Sequence, residues 1–356
     1  MHDVINNILI IKLKYLGDVL VTTPVFEALR YCYPRACISA LVKKDTEEML
    51  TQNPFLDNVF TLEKYANPVL DLVKYLQLIQ RLRRLNLDIA LELTNSDRGA
   101  ILAFLSGAKR RLGFQSKKKK KLDRHLVFTD LITSQGARHI VDYHLEMVKY
   151  LGCTFPKKEI SLCWGQEEER ICKQILKDNG LSLKKKFVVL HPISQARYKA
   201  WHLDGYAALC DYLQKECGTQ TILVCNNNTD ERRFVHRIME ISKTTPINLG
   251  GQLSLKQLAI LISHAKLFIG IDSAPMHMAT AVKTPVVAIF GPSRQFRWGP
   301  WGKGHIVIQK SWDCVPCGKE GCKGGGRSRC LDNLSIEEVI PIIGSKMNLV
   351  DSRKRL

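Results

Sequence analysis

The sequence predicts an α/β protein built from two alternating strand-and-helix halves. Three observations predict it. Short runs rich in Ile, Val and Leu recur along the chain, and helical patterns with apolar residues three and four apart separate them. The alternation then breaks and restarts near residue 165, which divides the chain into 1–164 and 165–356. With 356 residues, 45% of them hydrophobic, each half can bury a core of ordinary size.

In the first half, strands are expected at 8–13 (ILIIKL), 37–42 (CISALV), 58–62 (NVFTL) and 87–94 (LDIALELT). The stretches PVFEALRYCYP, TEEMLTQ and LDLVKYLQLIQRLRRL are expected to be helical. A helical QEEERICKQILKDNG opens the second half. Strands follow at 187–192, 219–225, 246–250, 266–272 and 284–291, with helices LDGYAALCDYLQKE, DERRFVHRIMEIS and LKQLAILISHA among them. No short repeat suggests a solenoid.

No apolar run is long enough to span a bilayer, and no secretory signal is recognisable, so the expectation is a soluble cytosolic protein with reduced thiols. The 53 Lys and Arg outnumber the 34 Asp and Glu, for a formal charge of +19, which favours an anionic partner. Much of the excess sits in AKRRLGFQSKKKKKLDRH, where Asp123 alone opposes Lys109, Arg110, Arg111, Lys117 to Lys121 and Arg124. That segment reads either as a solvated loop or as an anion-docking surface.

In open α/β sheets ligands gather beyond the carboxyl ends of strands, so the loops there are the candidates for chemistry. KLKYLGDVLVTTPV follows the first strand. Gly17 permits a tight path, and Thr22 or Thr23 before Pro24 signals a helix start. Asp18 is placed either to accept a proton from an attacking hydroxyl or to cap the loop. The G-x-G-x-x-G spacing is absent, which disfavours an NAD enzyme.

HPISQARYKAW offers the Ser194 hydroxyl and the cations Arg197 and Lys199; a lysine there either stabilises a leaving phosphate or is merely solvated. Trp201 reads as a packing anchor. In FIGIDSAPMHMATA a strand ends at Asp272, Ser273 stands at a cap position, and Pro275 lies in the first turn of a helix whose start suits a pyrophosphate. Asp272 is placed to bond sugar hydroxyls, and His277 lies one turn further on.

Taken together, KLKYLGDVLVTTPV, HPIS…YKAW, IGIDSAPMHMATA…TPVVAIFGPS and DIALELTNSDRGAILAFLSGAKRRLGF resemble the ADP-heptose:lipopolysaccharide heptosyltransferase family, in the right order over nearly the whole chain. The resemblance implies a GT-B architecture of two Rossmann-like domains facing a cleft, with acceptor bound by 1–164 and donor by 165–356. It implies inverting transfer of heptose from ADP-L-glycero-β-D-manno-heptose to an inner-core lipopolysaccharide sugar, with no obligatory metal or cofactor. Asp18 matches the family's general base, and Lys199 and Ser194 match donor-phosphate contacts. Asp272 matches the donor-sugar carboxylate, and Ser273, Ala274 and His277 match the phosphate-binding helix start. Asp230 and Glu231 are secondary candidates for adenosine. The chain departs from the family nearby, with Asn226, Asn227 and Asn228 where small glycines are usual. Arg98 and the lysines Lys117, Lys118, Lys119, Lys120 and Lys121 are candidates to meet the anionic acceptor at the inner face of the inner membrane. The DSAPMH form resembles the branch of the family that adds a third, branching heptose to the second.

Cys314, Cys317, Cys322 and Cys330 form a C-x-x-C pair with two further cysteines. They read either as a structural zinc site or as thiols of a surface loop. Two other functions compete with the heptosyltransferase reading. One is a GT-B enzyme using another nucleotide sugar or acceptor. The other is a basic nucleic-acid-binding protein with a zinc element, disfavoured because no aromatic residues interleave with the lysine run.

Overall fold

A computed structural model describes residues 5–115, 122–134, 136, 138–181 and 186–353. The chain divides into two compact units, Met1–Cys163 and Trp164–Leu356.

The first unit contains, in order, β1 (Asn7–Lys12), α1 (Leu16–Leu20), α2 (Thr23–Cys32), β2 (Cys37–Lys43), β3 (Asn58–Leu62), α3 (Pro68–Arg83), β4 (Ile89–Glu92), α4 (Asp97–Leu105), β5 (Arg110–Phe114), α5 (Arg124–Val127), β6 (Asp130–Ile132) and α6 (Ile140–Tyr150). Its sheet runs β3-β2-β1-β4-β5-β6, all parallel. Ile8 to Ile11 are all buried, as a strand covered by helices on both faces requires. Leu9, Ile11, Leu41, Leu82 and Leu102 form part of its core.

Several elements differ from the sequence reading. TEEMLTQ gives a 3₁₀ turn, Lys44–Met49, rather than an α-helix. A short helix the sequence reading did not include, α1, takes Gly17 and Asp18 into its first turn, while α2 starts at Thr23 before Pro24 as expected. The basic segment is not simply a loop, because Arg110–Phe114 forms strand β5. Acids distant in sequence oppose its cations: Lys109 pairs with Asp88 and Arg110 with Asp130, each at 2.8 Å, and buried Arg124 lies 3.3 Å from Glu92. Lys117 to Lys121 lie outside the described residues.

Helix α3 starts as its sequence dictates. Asn67 Oδ1 accepts from the Val69 and Leu70 N–H groups, and Pro68 occupies the first turn. Only Leu78 and Leu82 of this helix are buried.

The second unit contains α7 (Gln166–Asp178), β7 (Phe187–His191), α8 (Leu203–Lys215), β8 (Gln220–Leu223), α9 (Thr229–Ile241), β9 (Ile247–Asn248), α10 (Leu255–His264), β10 (Leu267–Ile271), α11 (Ala274–Ala281), β11 (Val286–Ile289), α12 (Gln295–Trp298), β12 (Ile306–Ile308), α13 (Arg329–Asp332) and α14 (Ile336–Arg353). Its sheet runs β12-β11-β10-β7-β8-β9, again all parallel. Counted from β7, this is the first unit's order repeated: 3-2-1-4-5-6, the doubly wound arrangement. Trp201 is a packing anchor, 1% exposed beside Tyr206 and Leu331, and its Nε1–H donates to Leu334 O at 2.7 Å. Among the described residues no helix is long and apolar enough to cross a membrane.

Candidate functional site

In each unit the topology reverses between two adjacent strands, β1 and β4 in the first, β7 and β10 in the second. The loops leaving such a pair diverge and open a crevice at their carboxyl ends. The loops carrying Asp18, Ser194, Lys199 and Asp272 leave from these two pairs.

In the first unit the loops after β1 and β4 are laced together. The Leu13 N–H donates to Thr94 Oγ1 at 2.8 Å, and the Lys12 ammonium donates to Leu93 O at 3.1 Å. Lys12 is 3% exposed and also contacts His144 Nε2 at 3.0 Å. Its third neighbour is Asp18, whose Oδ1 lies 3.7 Å from Lys12 Nζ, with the Asp18 side chain 19% exposed. Asp18 is thus an accessible carboxylate next to a fixed buried cation.

Behind this loop Glu92 is fully buried at the end of β4. Its oxygens accept from the Thr94 and Asn95 N–H groups at 3.0 and 3.1 Å and face Arg124. Burial pushes its carboxyl above the usual carboxylate range, against the pull of Arg124. Gly99, in the first turn of α4, is forced by this carboxylate, because a Cβ there would collide with Glu92 Oε1. Arg98 beside it is exposed.

In the second unit Lys199 and Asp272 meet. Lys199 Nζ lies 2.7 Å from Asp272 Oδ2 and 3.3 Å from Asp272 O. The pair is mostly sheltered, with side chains 23% and 11% exposed. They meet because β7 and β10 are neighbours, so the loops that follow leave side by side. Lys199 sits in a 3₁₀ turn, Arg197–Lys199, whose Tyr198 carbonyl accepts from Ser328 Oγ at 2.7 Å. The sequence presents Lys199 as a phosphate cation and Asp272 as a sugar acceptor; the structure pairs them so that each offsets the other's charge.

Ser273 holds the N-cap position of α11, but its side chain makes no capping hydrogen bond. It turns instead to His191 Nδ1 and Ile271 O, each at 3.3 Å. Burial pushes the His191 imidazole down to about 4, so at neutral pH it is uncharged. Ala274 opens the helix, and Pro275 lies in its first turn as the sequence predicts. His277 is buried within α11, at 3% exposure. Ser194 is half-buried in the loop after β7.

The secondary candidates separate. Asp230 is exposed and 3.8 Å from Arg233. Glu231 is buried and holds its own turn: its carboxylate accepts from Asn226 N at 3.0 Å and Asn228 Nδ2 at 2.8 Å. Two of the asparagines that replace glycines, Asn226 and Asn228, are therefore bound up with Glu231. Cys314, Cys317, Cys322 and Cys330 line one cavity of about 660 Å³. All four are free thiols, and among the described residues no group of three or more His, Cys, Asp or Glu is arranged to hold a metal ion. Burial pushes the Cys330 thiol up, which favours its protonated form.

Sequence reasoning missed Lys12, His144, Glu92 and His191. Lys12 carried a signal, a charge inside the buried run ILIIKL, whereas His144 lies mid-helix with nothing to distinguish it.

The profile of glycosyltransferase family 9 (heptosyltransferase) matches residues 75–326. Lipopolysaccharide heptosyltransferase 3 of Escherichia coli K12 is 32% identical over 296 residues, covering 83% of this chain and 85% of that one. Among solved structures, a family 9 glycosyl transferase from Veillonella parvula superposes with a TM-score of 0.81 at 23% identity, covering 96% of this chain and 97% of the other. The E. coli ADP-heptose lipopolysaccharide heptosyltransferase II gives 0.78 at 21% identity, covering 97% and 99%. These two share the fold, and their class is the GT-B architecture expected from the sequence. On the profile match and the E. coli relative, the chain belongs to glycosyltransferase family 9, the heptosyltransferases.

Proposed function

We propose that the protein transfers L-glycero-D-manno-heptose from ADP-L-glycero-β-D-manno-heptose to a heptose of the lipopolysaccharide inner core, adding the third, branching heptose to the second. The observation that carries this reading is the meeting of Lys199 and Asp272, 73 positions apart, at 2.7 Å beside the start of α11. A cation, a carboxylate and a helix N-terminus are what a diphosphate joined to a sugar needs. The 32% identity to the E. coli lipopolysaccharide heptosyltransferase 3 supports the substrate class.

In this reading the acceptor hydroxyl oxygen attacks the anomeric carbon from the face opposite ADP. The bond from that carbon to the β-phosphate oxygen breaks, and ADP leaves with the electron pair. Asp18 takes the hydroxyl proton, and the configuration inverts. Lys199 turns from Asp272 to the leaving diphosphate, aided by Ser194 and the helix start at Ser273 and Ala274, without an obligatory metal. Asp272, released, accepts from hydroxyls of the heptose. His191, being neutral, orients the Ser273 hydroxyl without adding charge. Residues 1–164 receive the acceptor and 165–356 the donor. The enzyme works in the cytoplasm as a peripheral protein on the inner membrane, and nucleic acid is not a partner.

The test is ADP release from ADP-heptose with lipopolysaccharide acceptors truncated after one, two or three heptoses. Release is expected with the acceptor ending in the second heptose. Asp18→Ala should cut turnover by roughly two to four orders of magnitude with donor affinity nearly intact. A normal rate in that variant would remove Asp18 from the chemistry, and no release with any acceptor would mean the donor or acceptor is misassigned.

A further inference from the structure

The first half of α3 projects an apolar stripe that is left exposed among the described residues. From Pro68 to Gln77 no residue is buried. Val69, Leu72, Val73 and Leu76 are 72%, 58%, 42% and 55% exposed. Their spacing of three, four and seven places them on one helix face, opposite Leu78 and Leu82, which anchor the helix to the core. Soluble proteins rarely expose a contiguous aliphatic stripe without a use for it.

We propose that this face of α3 docks on a lipid bilayer rich in anionic headgroups. The charges around the stripe favour that occupant. Lys74, Arg81 and Arg84 are exposed on the same helix or at its end. The one acid of the helix, Asp71, accepts the Tyr65 N–H at 2.9 Å and is half-buried. The stripe itself holds only aliphatic side chains, with no aromatic anchor or hydrogen-bonding group of the kind that marks a protein interface. An exposed aliphatic face on a helix whose exposed charges are all cations is the composition of a helix that lies in the headgroup boundary.

The topology gives the contact a purpose, which rests on the heptosyltransferase reading. The strands of the first unit are all parallel, so the chain leaves β1 and β3 at the same edge of the sheet. The exposed start of α3 therefore lies at the edge that carries Asp18. A bilayer touched there would present a lipid-borne sugar to that edge.

The full chain would be sedimented with phosphatidylcholine vesicles, with and without phosphatidylglycerol. Binding is expected with the anionic vesicles, weakening as salt is added. Leu72→Ser combined with Leu76→Ser should lower it at least about tenfold. Both positions are exposed, so folding should survive; Leu76→Trp offers a second readout, with its emission shifting blue and quenched by brominated lipid. Three results would overturn the proposal. They are no binding by the native chain, unchanged binding by the double variant, and a native dimer in gel filtration that the double variant splits. ADP release on detergent-dispersed acceptor separates the two readings. The double variant should keep that release while losing vesicle binding. Absence of release from every form would sink the substrate assignment alone, with vesicle binding still deciding the role of α3.

Discussion

A lysine ammonium buried at the end of a parallel strand needs acceptors for its protons, and Lys12 has Leu93 O at 3.1 Å, His144 Nε2 at 3.0 Å and the Asp18 carboxylate at 3.7 Å. For His144 Nε2 to accept, its ring must be neutral with the proton on Nδ1. Lys12 is thus held by neighbours that leave its charge facing Asp18, a positioning role if Asp18 is the base. Lys12→Met should lower kcat about tenfold or more while the KM for the donor changes little. The distinguishing readout is the double-mutant cycle. In an Asp18→Asn background the same substitution should cost nothing further, whereas a merely structural role would cost as much again. The sequence made Asp18 and Asp272 legible as candidates because loop motifs point to them. Lys12 and His144 were not legible as partners, because 132 positions separate them and only packing brings them together.

Among elements, strands covered on both faces could be read from sequence because their residues are continuously apolar. ILII in β1 and FVVL in β7 are examples. Strands β5, β6 and β12 were missed. The last two are three residues long at the sheet edges, and β5 opens with two arginines that merge into the basic run. Asp123 looked like the only acid opposing the cations of that run because Asp88, Asp130 and Glu92, which lie outside it, reach them only in the folded chain. Helix α4 shows how closely an element can depend on one position. Gly99 lets its first turn approach the buried Glu92 carboxylate, and Gly99→Ala would push that group from its N–H donors. The expected loss is about 1–3 kcal/mol, read as a lower denaturant midpoint.

At the scale of the whole molecule, one topology occurs twice, and each copy carries its motif residues where the strand order reverses. Acid should weaken the second copy through His191. An unfolded histidine binds a proton below about 6.5, whereas the folded one refuses it until about 4. Between those values the unfolded chain holds the extra proton, so stability present above the window is lost as pH falls through it. The loss approaches about 3 kcal/mol. His305, pushed down to about 4 by burial first and then by Lys346, acts in the same window. Denaturant midpoints measured from pH 7 to 4 should fall less steeply in His191→Gln than in the native chain.

The parallel pairing of β1 also has a consequence during synthesis. Strand β2 can cover one edge of β1 early, but the other edge waits for β4, whose approach is marked by Asp88 accepting the Asn7 N–H from 81 positions away. At about 5–20 residues per second the ribosome takes roughly four to sixteen seconds to add that stretch. For that time the Ile8 to Ile11 run has an open hydrogen-bonding edge, the kind of surface that aggregates or recruits a chaperone. Newborn chains stalled between β2 and β4 should therefore be the form that chaperones hold most tightly, with release once Glu92 has emerged and β4 can pair.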